Sequence, residues 1–235
     1  MSSLDEYLSK ITHNVRFSRP KCVLLADELL ASCIERFSQV ENMTSATLFI
    51  TGFGSWRASI ALASGGATSQ VPVTLRHALE CCLYDYLFSK DAASEDTWWN
   101  READPKAKKK MRGKSGPIQL AKEHLSVSNP TLKDSATELM DALIDFGAHP
   151  NVMIFADSLL FKEDEDADIR SVMLLGSEEA RDSAHLISVT VATEMIKFFR
   201  EIWPTGFDET LYSSFQELIG QSKTFKNYHH SINYS

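Results

Sequence analysis

The stretch Val71-Pro72-Val73-Thr74-Leu75-Arg76-His77-Ala78-Leu79-Glu80-Cys81-Cys82-Leu83-Tyr84-Asp85-Tyr86-Leu87-Phe88-Ser89 decides the fold. Leu75, Leu79, Cys82 and Tyr86 recur at helical spacing, and Leu83, Leu87 and Phe88 cover the opposite side. A helix that is apolar nearly all round is buried by its neighbours. Those neighbours must come from the rest of the chain, where the same period recurs.

Upstream, Leu4 to Val15 reads as a short amphipathic helix. Pro20 suits the first position of a helix reaching about Val40, because its missing N–H costs nothing there. Val23, Leu24, Ala26, Asp27, Leu30, Ile34 and Phe37 carry its pattern. A third helix is predicted from Thr44 or Ser45 to Gly65-Gly66. Ser55, Ser59 and Ala63 share one of its faces and would admit a second helix closely, whereas Gly52 and Gly54 each weaken it by about 1 kcal/mol relative to Ala.

Downstream, Ser94-Glu95-Asp96 reads as a cap with acids in the first turn, leading into Trp98-Trp99-Asn100-Arg101. Asp104-Pro105 ends that helix, and Gly113, Gly116 and Pro117 mark a loop. Helices follow over Ile118 to Leu125 and Leu132 to Phe146, the latter closed by Gly147. Two short apolar runs, 158–161 and 171–175, flank an acidic stretch and predict a small β-hairpin near residues 158–175. Ser177-Glu178-Glu179 caps a long helix to about Trp203, stopped by Pro204 and Gly206. A last helix spans Asp208 to about Lys223, with a frayed tail from about 226. The expectation is one all-α domain over 1–235, a multi-helix bundle with that hairpin.

Composition limits the function classes. The 235 residues are 43% hydrophobic and 24% charged, an ordinary globular balance, with 24 basic and 32 acidic residues giving a net charge of −8. That sign disfavours nonspecific attraction to nucleic acid or anionic membranes. The first residues have neither the basic nor the apolar region of a secretory signal. The most apolar stretch, Ala46 to Ala63, is interrupted by Gly52, Gly54 and Arg57, so no membrane span is expected. Cys81 and Cys82 are adjacent on a helix, and Cys22 and Cys33 lie about 16 Å apart along another, too far for a disulfide. Four reduced thiols point to a cytoplasmic location. No zinc spacing appears, and neither metal nor cofactor is expected.

One constellation carries chemistry. Arg76 and Glu80, four apart, share a face of the buried helix, and His77 neighbours Glu80. Buried charges need partners, and Arg101 and His149, with Asn151 beside it, are the candidates. Two readings stay open. One is a polar pocket in which Arg76 and Arg101 hold an anion and His149 or His77 moves a proton. The other is an ion-pair network that pins helix packing.

Arg76-x-x-x-Glu80, Trp98-x-x-Arg101 and Asp145-Phe146-Gly147-Ala148-His149-Pro150-Asn151 together resemble a family of uncharacterised bacterial helical proteins, distantly similar to the HEPN helical-bundle superfamily. The likeness covers residues 71–152. Many HEPN proteins are toxin ribonucleases or nucleotide-associated accessory proteins, so the resemblance implies a helical bundle and allows a nuclease or nucleotide-processing enzyme. Catalytic HEPN ribonucleases place a His after an Arg with four to six residues between them. That spacing is missing here; Arg181-x-x-x-His185 comes nearest.

Between Lys106 and Lys114 lie six basic residues in nine, among them Lys108, Lys109, Lys110 and Arg112. They are the candidates for nucleic-acid phosphates, although no stacking aromatics interleave with them. Asp164, Asp166 and Asp168 alternate as in a calcium loop, but Ile169 and Leu175 occupy the places that need Gly and Glu. No phosphate-binding Gly loop or nucleophile elbow is present. Three functions follow in order of support: a noncatalytic bundle, homodimeric and acting through a protein partner or small anionic ligand; an enzyme built on Arg76, Glu80, Arg101 and His149; and a nucleic-acid binder using the basic run.

Overall fold

The computed structural model describes residues 4–15, 19–39, 42–112, 116–148, 159–160, 171–172 and 175–232. Among these, ten α-helices make an all-α bundle: α1 (Leu4–Asn14), α2 (Lys21–Glu35), α3 (Met43–Gly65), α4 (Val71–Lys90), α5 (Ala92–Trp99), α6 (Pro105–Arg112), α7 (Pro117–Ser128), α8 (Pro130–Leu143), α9 (Glu178–Ile202) and α10 (Glu209–Ile232). Helix α4 is central. It packs against α3, α5, α7, α8 and α9, and its side chains from Val71 to Phe88 are buried at twelve positions. The all-round apolar pattern of 71–89 thus describes a helix enclosed by others.

The most extensive helix contact is α3 on α4, and a glycine makes it close. A Cβ on Gly52 would lie 3.1 Å from the Ala78 carbonyl oxygen and 3.2 Å from Cys81 Cβ. Gly52 was expected to weaken α3; the loss in helix propensity is offset by backbone approach to α4. Gly54, in contrast, faces open space. On its other side α3 meets α9. There Trp56 Nε1 donates to the Ser188 carbonyl at 2.7 Å, and Ser59, from the small-residue face, stands 3.4 Å from Ser188 Oγ. Phe37, Phe49, Phe199 and Trp203 close this end of the core with ring centroids 4.6–5.9 Å apart. The four cysteines are free and buried.

Several boundaries differ from the sequence reading. Helix α3 starts at Met43 because Asn42 caps it, its Oδ1 accepting from Ser45 N at 2.9 Å. Asp91, not Ser94, caps α5: its carboxylate accepts from Ala93 N, Ser94 N and Ser94 Oγ, so the expected capping hydroxyl is itself a donor to a stronger acceptor. Asp104-Pro105 starts a helix rather than a loop, since Pro105 takes the first position of α6 and Asp104 caps Lys106 N at 2.8 Å. After α8 the chain widens into a π-helical turn over Ile144–Ala148, and Gly147 adopts φ 129°, open to glycine. The tail expected to fray from about 226 continues α10 to Ile232; Leu211, Phe215 and Leu218 anchor that helix, and propagation adds one hydrogen bond per residue.

Of the hairpin expected near 158–175, only a two-residue antiparallel bridge is described, Leu159 opposite Val172 and Leu160 opposite Ser171. This bridge does not amount to the expected hairpin, and the rest of the segment up to 174 lies outside the described residues. No helix among the described residues is long and apolar enough to cross a membrane.

The two glycines should separate on substitution. Gly52→Leu is expected to destabilise the protein by about 2 kcal/mol, because the side chain forces α3 off α4. Gly54→Ala should stabilise it by about 1 kcal/mol. Urea midpoints of the two variants test this; equal shifts would remove the close-contact role of Gly52.

Candidate functional site

A cleft of about 350 Å³ opens beside α4. His77, Glu80, Cys81 and Tyr84 supply the α4 wall, in two rows spaced one turn apart. Leu48 of α3 lies at its base. Facing them are Trp98 at the end of α5, Arg101 and Glu102 in the 3₁₀ turn Asn100–Glu102, and Lys108 of α6. Helix α6 is docked by the buried Ala107, and the next residue, Lys108, lines the cleft with its side chain 41% exposed.

The structure therefore gathers His77, Glu80, Arg101 and Lys108 in one cleft. Arg76 stays at its edge, donating Nε to Glu80 Oε1 at 2.9 Å. Both side chains are 27% exposed, so the pair is half-buried and not sealed. His149 and Asn151 lie outside the described residues, as do the side chains of Lys110 and Arg112. Lys109 is exposed and does not line the cleft. Tyr84, Cys81, Glu102 and Leu48 were not anticipated. Cys81 and Tyr84 stand four residues after His77 and Glu80, so the helical row through the named pair contained two of them.

Each polar group has a defined setting. His77 Nδ1 is 2.8 Å from Ser55 Oγ on α3, and its Nε2 is 3.9 Å from Cys81 Sγ. Burial pushes the Cys81 thiol up to about 12, and the neighbouring carboxyl groups of Glu80 and Asp85 add to that. The thiol consequently stays protonated at neutral pH and is no nucleophile. The Tyr84 phenol is raised by burial and by Glu80, against an opposing effect of Arg101, and is a hydrogen-bond donor. Arg101 lies with Cζ 4.4 Å from the centre of the Trp98 ring, within cation–π range. Its Nε is 3.7 Å from Glu102 Oε1, and Lys108 Nζ is 2.8 Å from Glu102 Oε2. One carboxylate thus bridges the two cationic heads.

Two titratable groups lie in the core instead. Asp85 on α4 is fully buried; Ser45 Oγ donates to its Oδ1, and Oδ2 has no hydrogen-bond partner among the described residues. Burial raises this carboxyl well above the usual carboxylate range, so it is held neutral. His185 of α9 is 6% exposed, with Nε2 3.1 Å from Ser64 Oγ. Burial lowers it to about 4, helped by the positive charges of Arg19 and Arg181. Among the described residues no group of three or more His, Cys, Asp or Glu is arranged to hold a metal ion.

No family model, curated protein or solved structure matches the chain.

The two core groups give opposite pH signatures. The unfolded chain protonates His185 near its ordinary value of 6.5, whereas the folded chain does so only near 4. Stability from this group is therefore complete above pH 6.5 and falls by about 3 kcal/mol as pH drops to 4. Asp85 ionises in the unfolded chain above about pH 3.8 but stays neutral in the fold, so its penalty grows as pH rises from there. Denaturation between pH 4 and 8 should show His185→Gln losing the acid-side slope and Asp85→Asn gaining most stability at pH 8. Parallel curves for wild type and both variants would contradict the assignment.

Proposed function

We propose that the chain is a noncatalytic helical-bundle protein that binds a small anionic ligand in the cleft between α4 and the turn joining α5 to α6. The observation that carries this reading is the convergence of Arg101 and Lys108 beside an aromatic wall in a concave space of about 350 Å³. Small-molecule sites have this size and this combination of apolar lining with a few placed polar groups. The planar guanidinium of Arg101, held on Trp98, suits bidentate capture of a carboxylate or phosphate.

Binding is favoured over catalysis by the state of the lining groups. The Cys81 thiol keeps its proton, and His77 has one ring nitrogen on Ser55 and the other towards Cys81. The ribonuclease alternative suggested by the HEPN-like resemblance would need a reachable Arg–His pair, and His185 is buried against Ser64. The nucleic-acid alternative loses part of its basic strip, because Lys108 points into the cleft and pairs with Glu102.

Melting of the full-length protein in increasing phosphate and phenylacetate tests the proposal. At least one probe should raise the melting temperature in a saturable way. Arg101→Ala should weaken it roughly tenfold, the loss of one charge-assisted contact, without lowering the melting temperature of the free protein by more than a few degrees. No saturable shift with either probe, or unchanged affinity in Arg101→Ala, would overturn it.

A further inference from the structure

The geometry points to Glu102 as an internal stand-in for the ligand's acid group, and to a flat-bodied carboxylic acid as the ligand class; this rests on the anion-binding reading above. Glu102 Oε2 sits 2.8 Å from Lys108 Nζ and Oε1 sits 3.7 Å from Arg101 Nε. A carboxylate in this place already shows what the two cations accept. The Glu102 side chain is 68% exposed and Lys108 41%, so the pair is a surface one, weak enough for a competing acid to replace it. The other carboxylate of the lining, Glu80, is held by Arg76 on the α4 wall.

The remaining lining defines the body of the ligand. Trp98, Tyr84 and Leu48 give an apolar wall and base next to the cations. Trp98 is itself braced by Phe88 at 5.6 Å and Trp99 at 4.9 Å between ring centres, so its ring is fixed before any ligand arrives. A planar ring can lie against such aromatic edges and faces with favourable geometry. Tyr84 lines the cleft, and its phenol, raised by burial, keeps its proton and can donate to the acid group. When the acid enters, the Glu102 carboxylate swings out to water and the ligand takes its two cations.

The experiment uses the full chain, with phenylacetate and its uncharged counterpart phenylacetamide as probes followed by calorimetric titration. Phenylacetate should bind at least tenfold more tightly than phenylacetamide. Glu102→Gln should tighten phenylacetate about two- to fivefold, the range set by releasing a surface ion pair, and leave phenylacetamide unchanged. Asp104→Asn removes the same charge two residues away while keeping the cap on Lys106, and should change neither. If Asp104→Asn tightens phenylacetate as much as Glu102→Gln, the effect is bulk charge and the stand-in role is lost. If Glu102→Gln leaves phenylacetate unchanged or weaker, it is lost as well. Phosphate binding that still depends on Arg101 would then leave the anion-binding reading in place, whereas absence of Arg101-dependent binding by any of these anions would remove both.

Discussion

Everything in this fold depends on how closely α3 lies against α4. The missing side chain at Gly52 lets the Ala78 carbonyl and Cys81 Cβ approach to distances that any Cβ would crowd. That contact fixes the rotation of α4 about its own axis. The same rotation buries Asp85 and Cys82 on one side and presents His77, Glu80, Cys81 and Tyr84 on another. It also sets Ser55 of α3 within hydrogen-bond distance of His77. The cleft wall is a consequence of helix packing and needs no dedicated loop.

The opposing wall is held differently. Trp98 packs on Phe88 of α4, Asn42 links the start of α3 to Glu95 of α5 at 2.9 Å, and Ala107 docks α6. These contacts tie a short, charge-rich segment to the core through a few apolar and polar anchors. Arg101, Glu102 and Lys108 of this segment line the cleft, whereas Lys106 and Lys109 are exposed outside it. Two cations, Arg101 and Lys108, thus stand with two carboxylates, Glu80 and Glu102, in a chain of net charge −8. The local balance, not the total, sets the potential inside a cleft.

The sequence made some of this legible and left the rest hidden for physical reasons. The centrality of α4 was readable because an apolar residue stands on almost every side of it. His77, Glu80 and Arg101 were readable as chemistry-bearing types beside that helix, and Lys108 only as part of a basic run. That Lys108 meets Arg101 depends on Asp104-Pro105 starting a new helix, and Pro in that context serves as either a stop or a start. The cap of α5 was misplaced because Ser94 and Asp91 are both capping types, and only the structure shows the carboxylate taking three donors. Gly52 reads as a weakness because propensity is local, while its benefit lies in its contact with Ala78 and Cys81 of the next long helix. The partnership expected with His149 falls on residues outside those described, and Glu102 carries no signal in the sequence except its place beside Arg101.

Burial of the cysteines has a consequence for how this chain meets an oxidant. Cys22, Cys33 and Cys82 are sealed in the core, and Cys81, which borders the cleft, keeps its thiol proton firmly. Oxidants and alkylating reagents act on thiolate that they can reach. Folding thus withholds access at the three core thiols and the thiolate at Cys81, and the reduced state becomes a property of the folded chain itself. Compartment chemistry matters only for molecules that have opened, which makes sulfur damage a record of past unfolding.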